Sequence, residues 1–173
     1  MQYARLGQTG LVVSRLAFGA MTFSRGNKEI ASVYKVGASL ADELVGAALD
    51  AGVNLFDTAD AYAGGESESL LGTALKERRS QVVIATKVGF RTGEPLIQSG
   101  LTRRHILWPV DQSLKRLGTD WIDLYIVHRE DPLTPHSRRC IPTGSSITPS
   151  TSRPHMRSAS GHDEDDRYKR ETT

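Results

Sequence analysis

A single cysteine, Cys140, stands in the 173 residues, so no disulfide can close within the chain, and the composition suits a reducing cytoplasm. Neither sign of charge is in excess. The 22 Lys and Arg face 20 Asp and Glu, a net charge of +2, which gives no reason to expect nucleic acid or an acidic membrane surface as partner. No stretch of ~18 consecutive apolar residues occurs, so no membrane-spanning helix is expected. The opening MQYARLGQTG has neither an apolar run nor a small-residue cleavage site and does not read as a signal peptide. A G-x-G-x-x-G after a strand is missing, as is G-x-x-x-x-G-K-[ST], so neither a Rossmann nor a P-loop nucleotide site is expected. His136, His155 and His162 show no metal-ligand spacing, so no metal is expected.

What is present changes character near Pro135. Residues 1–135 hold 15 basic and 15 acidic side chains, so the whole net charge lies beyond them. Residues 136–173 have no Leu, Val, Phe or Trp, but 12 Ser or Thr among 38 residues and the acidic run Asp163–Asp166. Such a segment buries too little apolar surface to offset the entropy of ordering it, so it reads as a disordered tail. A regulatory or basic binding tail is the alternative reading.

Residues 1–135 alternate strand and helix. Tyr3–Leu6 and Leu11–Ser14 flank a Gly-Gln-Thr-Gly turn, which predicts a hairpin. Leu16–Met21 reads as a first parallel strand. Ser39, with Asp42 three residues on, predicts a helix cap. Leu44, Val45, Ala48 and Leu49 then form one apolar face, ended by Gly52. Val53–Phe56 is the next strand, and Leu70, Leu71, Ala74 and Leu75 mark a second helix. Val82–Thr86 is a third parallel strand. Leu107, Val110, Leu114 and Leu117 mark a third helix closed by Gly118, and Ile122–Val127 is a fourth strand. Pro109 conflicts with a helix starting near Arg103, which predicts a kink or a start near Trp108. Trp108 and Trp121 read as packing residues, and His105 as exposed. The alternation argues for a parallel α/β sheet covered on both faces.

Chemistry gathers where the strands end. Val53–Phe56 runs into Asp57, Val82–Thr86 into Lys87, and Ile122–Val127 into His128, while Tyr62 follows five residues after Asp57. In a (β/α)₈ barrel the C-terminal strand ends form the catalytic face. Each residue alone has an ordinary structural reading, such as a turn cap, a solvated loop side chain or a packed aromatic. Together they place an acid, an ammonium, a phenol and an imidazole on one face.

The segment Asn54–Tyr62 (NLFDTADAY), followed by Gly64-Gly65-Glu66-Ser67-Glu68 and Leu71-Gly72, resembles a signature of the aldo-keto reductase superfamily. Ile84-Ala85-Thr86-Lys87 is similar to that family's lysine strand. Ser113–Tyr125 leading to His128, and the opening Leu6–Leu11 with Val13-Ser14, are similar to further family motifs. The resemblance implies the N-terminal half of a (β/α)₈ TIM barrel with a hairpin plugging its bottom. It implies NADPH-dependent reduction of an aldehyde or ketone, with Asp57, Tyr62, Lys87 and His128 as the catalytic set. Tyr62 would donate the proton, Lys87 would ease its release, Asp57 would hold Lys87, and His128 would orient the carbonyl. Ala20, Met21 and Asp57 would meet the nicotinamide end of the cofactor.

A complete barrel needs eight strands and ~250 residues. Only four strands are read here, and the family pattern breaks after Asp131–Pro135. That break reads as a shifted reading frame, an intron read as coding, or a truncated isoform. In the family the second half holds most of the cofactor, so the 173 residues alone are expected to lack turnover. Alternatives are a catalytically silent half-barrel that binds or dimerises through exposed strand edges, and a redox-sensing module.

Overall fold

The structure is a computed structural model that describes residues 1–26 and 35–135. The tail expected over 136–173, with Cys140 and three of the histidines, lies outside the described residues. The predicted hairpin is present as β1 (Tyr3–Arg5) and β2 (Val12–Ser14), paired antiparallel with Tyr3 opposite Ser14. It is fastened to the rest of the fold by Asn54. The Asn54 side chain accepts from the Ser14 amide at 2.7 Å and donates to the Val12 carbonyl at 3.0 Å.

Four parallel strands follow: β3 (Ala17–Gly19), β4 (Leu55–Asp57), β5 (Val83–Val88) and β6 (Leu124–Val127), in the order β3-β4-β5-β6. The helices α1 (Ala38–Asp50), α2 (Glu66–Leu75) and α3 (Arg103–Leu117) alternate with them. Residues in register across parallel strands project to the same side. Phe18, Phe56 and Ile84 are in register and join the helices in one core with Leu70, Leu71, Leu75 and Val45. The opposite side carries Gly19, Asp57, Ala85 and Leu124 in one row and Lys87 beside Ile126 in the next. On that side the central strand is buried, with Ala85 only 3% exposed. The edge strands are open, with Ile126 at 40%.

Several local expectations are corrected. The cap of α1 is Gly37, and the Ser39 hydroxyl lies inside the helix 3.4 Å from the Glu43 carboxylate. The face of α1 is rotated: Ala41 and Val45 are buried, whereas Leu44 is exposed. Helix α3 starts at Arg103, capped by the Thr102 side chain, which accepts from the His105 amide, and it runs on through Pro109. Its buried side is His105, Ile106, Pro109, Val110, Ser113 and Leu117, so Leu107 is exposed and His105 is not. Trp108 lies within the helix and is 44% exposed, so it does not fill the core. Trp121 packs its ring under Arg79, 4.3 Å from the guanidinium. Gly118, with φ 65°, closes α3 as expected. Gly72 marks where α2 meets α3. A Cβ there would lie 2.4 Å from the Leu117 carbonyl oxygen, so only glycine permits this approach.

Candidate active site

The four residues singled out by sequence come together at the C-terminal ends of three strands. Asp57 ends β4 and lies in register with Ala85 of β5. Lys87 is two residues beyond Ala85, on the same side of the sheet, which brings its ammonium to the carboxylate. Lys87 Nζ donates to Asp57 Oδ2 at 2.6 Å, to the Thr58 carbonyl at 2.8 Å and to the Tyr62 hydroxyl at 3.4 Å. Lys87 lies inside β5 instead of after it, because the strand extends to Val88.

Tyr62 opens the short 3₁₀ turn Tyr62–Gly65 that leads into α2. The turn holds left-handed backbone at Ala63, Gly64 and Gly65, with Ala63 the one non-glycine residue of positive φ among the described residues. A non-glycine residue there is uncommon, and such strain gathers at functional sites. Arg116 fills the space beneath this turn, for a Cβ on Gly65 would lie 2.6 Å from its side chain. Arg116 is in turn fixed by Glu68, which is fully buried. Glu68 accepts from Arg116 Nε at 2.6 Å and from the Thr86 hydroxyl at 2.6 Å. This pair lies behind the lysine strand, and sequence reading passed over it.

His128 follows β6, and its amide donates to the Val88 carbonyl at 2.8 Å. Its ring meets Tyr62 edge-on at 5.4 Å and Phe90 edge-on at 4.7 Å. Burial, reinforced by the Lys87 ammonium and opposed by Asp57, holds the imidazole pKa below its ordinary value, so it is neutral near pH 7. Phe90 was not foreseen. Its carbonyl is bonded at 3.1 Å by Nε2 of His105, the histidine expected to be exposed and found buried. Thus His105 anchors the loop whose ring packs on His128.

The residues expected near the cofactor are placed as follows. Ala20 is fully buried, its amide donates to the Asp57 carbonyl at 2.8 Å, and its own carbonyl accepts from the Ser67 hydroxyl at 2.7 Å. Met21, next in sequence, is 43% exposed, and the Asp57 side chain is 35% exposed. Among the described residues no cluster of His, Cys, Asp and Glu could hold a metal ion. None of the helices there is long and apolar enough to cross a membrane.

Asp60 lies between Asp57 and Tyr62 in the chain, and its buried carboxyl makes no hydrogen bond of good geometry among the described residues, although the Ala61 amide lies near it. Burial, then the Glu68 charge, raise its pKa to about 7, against the opposing pull of Arg116 and the Ala61 amide. The folded chain therefore binds this proton more tightly than the unfolded chain, and stability from this group declines as pH rises from about 4 to 7. Asp60→Asn should leave stability unchanged at pH 4. At pH 8 it should raise it by up to roughly 4 kcal/mol, the free-energy equivalent of that shift. Urea unfolding at the two pH values checks this, and an equal effect at both would contradict it.

A parallel sheet backed by helices thus presents, at its strand ends, an ammonium held between a carboxylate and a phenol. The chain belongs to the aldo/keto reductase family, whose profile matches residues 15–159. It is 42% identical over 139 residues to an Oryza sativa subsp. japonica protein named "Probable voltage-gated potassium channel subunit beta". That match covers 78% of this chain and 39% of that protein. It is 40% identical over 141 residues to the aldo-keto reductase YhdN of Bacillus subtilis, covering 78% of this chain and 40% of that protein. The holo form of an aldo-keto reductase from Bacillus halodurans superposes with a TM-score of 0.66 at 34% identity, covering 80% of this chain and 44% of that one. The chain therefore spans about two-fifths of the length of the relatives it matches, and its sheet is part of a barrel.

Proposed function

We propose that this chain carries the proton-donating half of an NADPH-dependent reductase of aldehydes or ketones, working in a reducing cytoplasm. The observation that carries this reading is the contact of the Lys87 ammonium with Asp57, the Thr58 carbonyl and the Tyr62 hydroxyl. Reduction of a carbonyl leaves an alkoxide that needs a proton, and the Tyr62 phenol is the donor. Lys87, held in place by Asp57, stabilises the phenolate left behind. Neutral His128 has its Nδ1 buried, which leaves Nε2–H to hold the carbonyl oxygen and offset its growing charge. The donor set fits the reacting end of a nicotinamide cofactor, which when bound supplies the hydride. Asp57, half-exposed Met21 and the fixed backbone of Ala20 would hold that end.

The family resemblance assigns the adenosine and phosphate contacts to the half of the barrel that lies beyond these residues. We therefore propose that the 173 residues by themselves hold NADPH weakly and turn over no carbonyl. Fluorescence titration of NADPH into the purified chain should give no saturation in the micromolar range, and micromolar saturation would show that this half grips the cofactor unaided. A second reading, in which such a domain serves as a binding module, is favoured by the 42% identity to the rice protein, a probable channel subunit beta. It predicts no loss of partner binding on substituting Tyr62.

A further inference from the structure

Outside the tetrad, the helical side of the sheet holds a cavity of about 220 Å³ between the turn that leads into α2, the loop from β5 to α3, and α3 itself. Asp60, Arg91, Thr92, Trp108, Gln112 and Arg116 are among its lining. Buried polar groups normally have partners, and each exception asks for a cause. Two exceptions line this one cavity. Both carboxylate oxygens of Asp60 and the hydroxyl of Thr92 are buried without a partner among the described residues. Arg116 uses Nε on Glu68 and Nη2 on Ser113, and Nη1 has no partner among the described residues. The buried unmet groups are thus the Asp60 carboxylate and the Thr92 hydroxyl, and Arg116, its side chain 27% exposed, adds a free N–H donor beside the half-exposed indole of Trp108.

We propose that this cavity is a binding site for a flat, neutral primary carboxamide. Such a group carries an N–H donor for Asp60 and a carbonyl acceptor for Arg116 side by side, and both needs are met by one planar unit. The attached ring lies against Trp108, whose face suits offset stacking. With Asp60 ionised, a free carboxylate fails the test of complementarity, since it brings no donor and a like charge to Asp60. A cation fails it as well, since Arg91 and Arg116 oppose it. The site is independent of carbonyl reduction and stands or falls separately from that reading.

The probe is benzamide, titrated into the 173-residue chain at pH 8, where Asp60 is mostly ionised, and followed by ligand-observed NMR and tryptophan fluorescence. Saturable binding is expected with a dissociation constant of about 1 mM, the level open to a ligand of about nine non-hydrogen atoms. Asp60→Asn should weaken it at least tenfold, and Trp108→Leu several-fold. Because Trp108 is on the surface of α3, that variant tests the stacking contact with the Asp60 carboxylate left in place. Sodium benzoate should bind at least tenfold more weakly than benzamide. Absence of saturation, equal binding of benzoate, or unchanged affinity in Trp108→Leu would overturn the proposal.

Discussion

In a protein that joins residues 1–135 to the second half of the Bacillus subtilis relative, Tyr62→Phe is expected to lower carbonyl reduction by about 10²–10⁴-fold, the usual contribution of a positioned general acid. NADPH binding should stay nearly intact. The substitution removes only the hydroxyl that sits 3.4 Å from Lys87 Nζ. It leaves the ring with its edge contact to His128 at 5.4 Å and the ammonium over its face at 4.9 Å. A loss of affinity is therefore not the expected route to lower rate. Steady-state kinetics separates the two, because kcat should fall while the dissociation constant for NADPH holds. If the Phe variant kept more than about a tenth of kcat, Tyr62 would not be the acid.

The second large effect concerns the open side of the sheet. A closed barrel has no edges, whereas among the described residues β3 and β6 each leave one, and neither strand contains proline to blunt pairing. Ala17, Gly19 and Ile126 on the open side are exposed, as is Leu16 just before β3. At ~25 cal/mol per Å², leaving several hundred Å² of such surface in water forfeits on the order of 10 kcal/mol. A whole domain is stable by only ~5–15 kcal/mol. Produced alone, the soluble 173-residue chain should thus be dimeric or larger, its paired copies covering the open wall. Sedimentation velocity is the check, and a compact monomer with a cooperative melt would refute the expectation.

The site was legible in the sequence because its four residues fall at the ends of strands, where a short apolar run meets a titratable residue. Asp57, Lys87 and His128 needed only the strand boundaries, and Tyr62 needed the loop after Asp57. The supports of the site were not legible, because they depend on rotation and on contacts between distant elements. His105 looked solvated on a helix read from Leu107. The helix instead turns its His105–Ile106 side inward, since the loop at Phe90 offers a carbonyl that an imidazole can satisfy. Leu44 and Leu107 matched an apolar period yet lie on the outer sides of α1 and α3, one residue away from the stripes that meet the core. Pro109 was expected to kink α3 or to mark a start near Trp108, but α3 starts at Arg103, capped at Thr102, and the missing N–H removes only one of its bonds. Glu68 and Arg116 entered the sequence reading only as members of motif stretches, with no partner assigned. Their pairing across α2 and α3 closes a separation of 48 residues that no local pattern reveals. Asp60 went unremarked for a similar reason: its burial comes from elements far along the chain.

The central claim is that Asp57, Tyr62, Lys87 and His128 form a carbonyl-reducing centre, and hydride transfer measures it most directly. The protein joining residues 1–135 to the Bacillus subtilis second half would be given NADPH deuterated at the transferable position and an aromatic aldehyde, and the alcohol examined for deuterium. Deuterium on the carbinol carbon is predicted, with transfer falling to background when Lys87 is replaced by Met. A joined protein that melts cooperatively and binds NADPH yet transfers no deuterium would contradict the account.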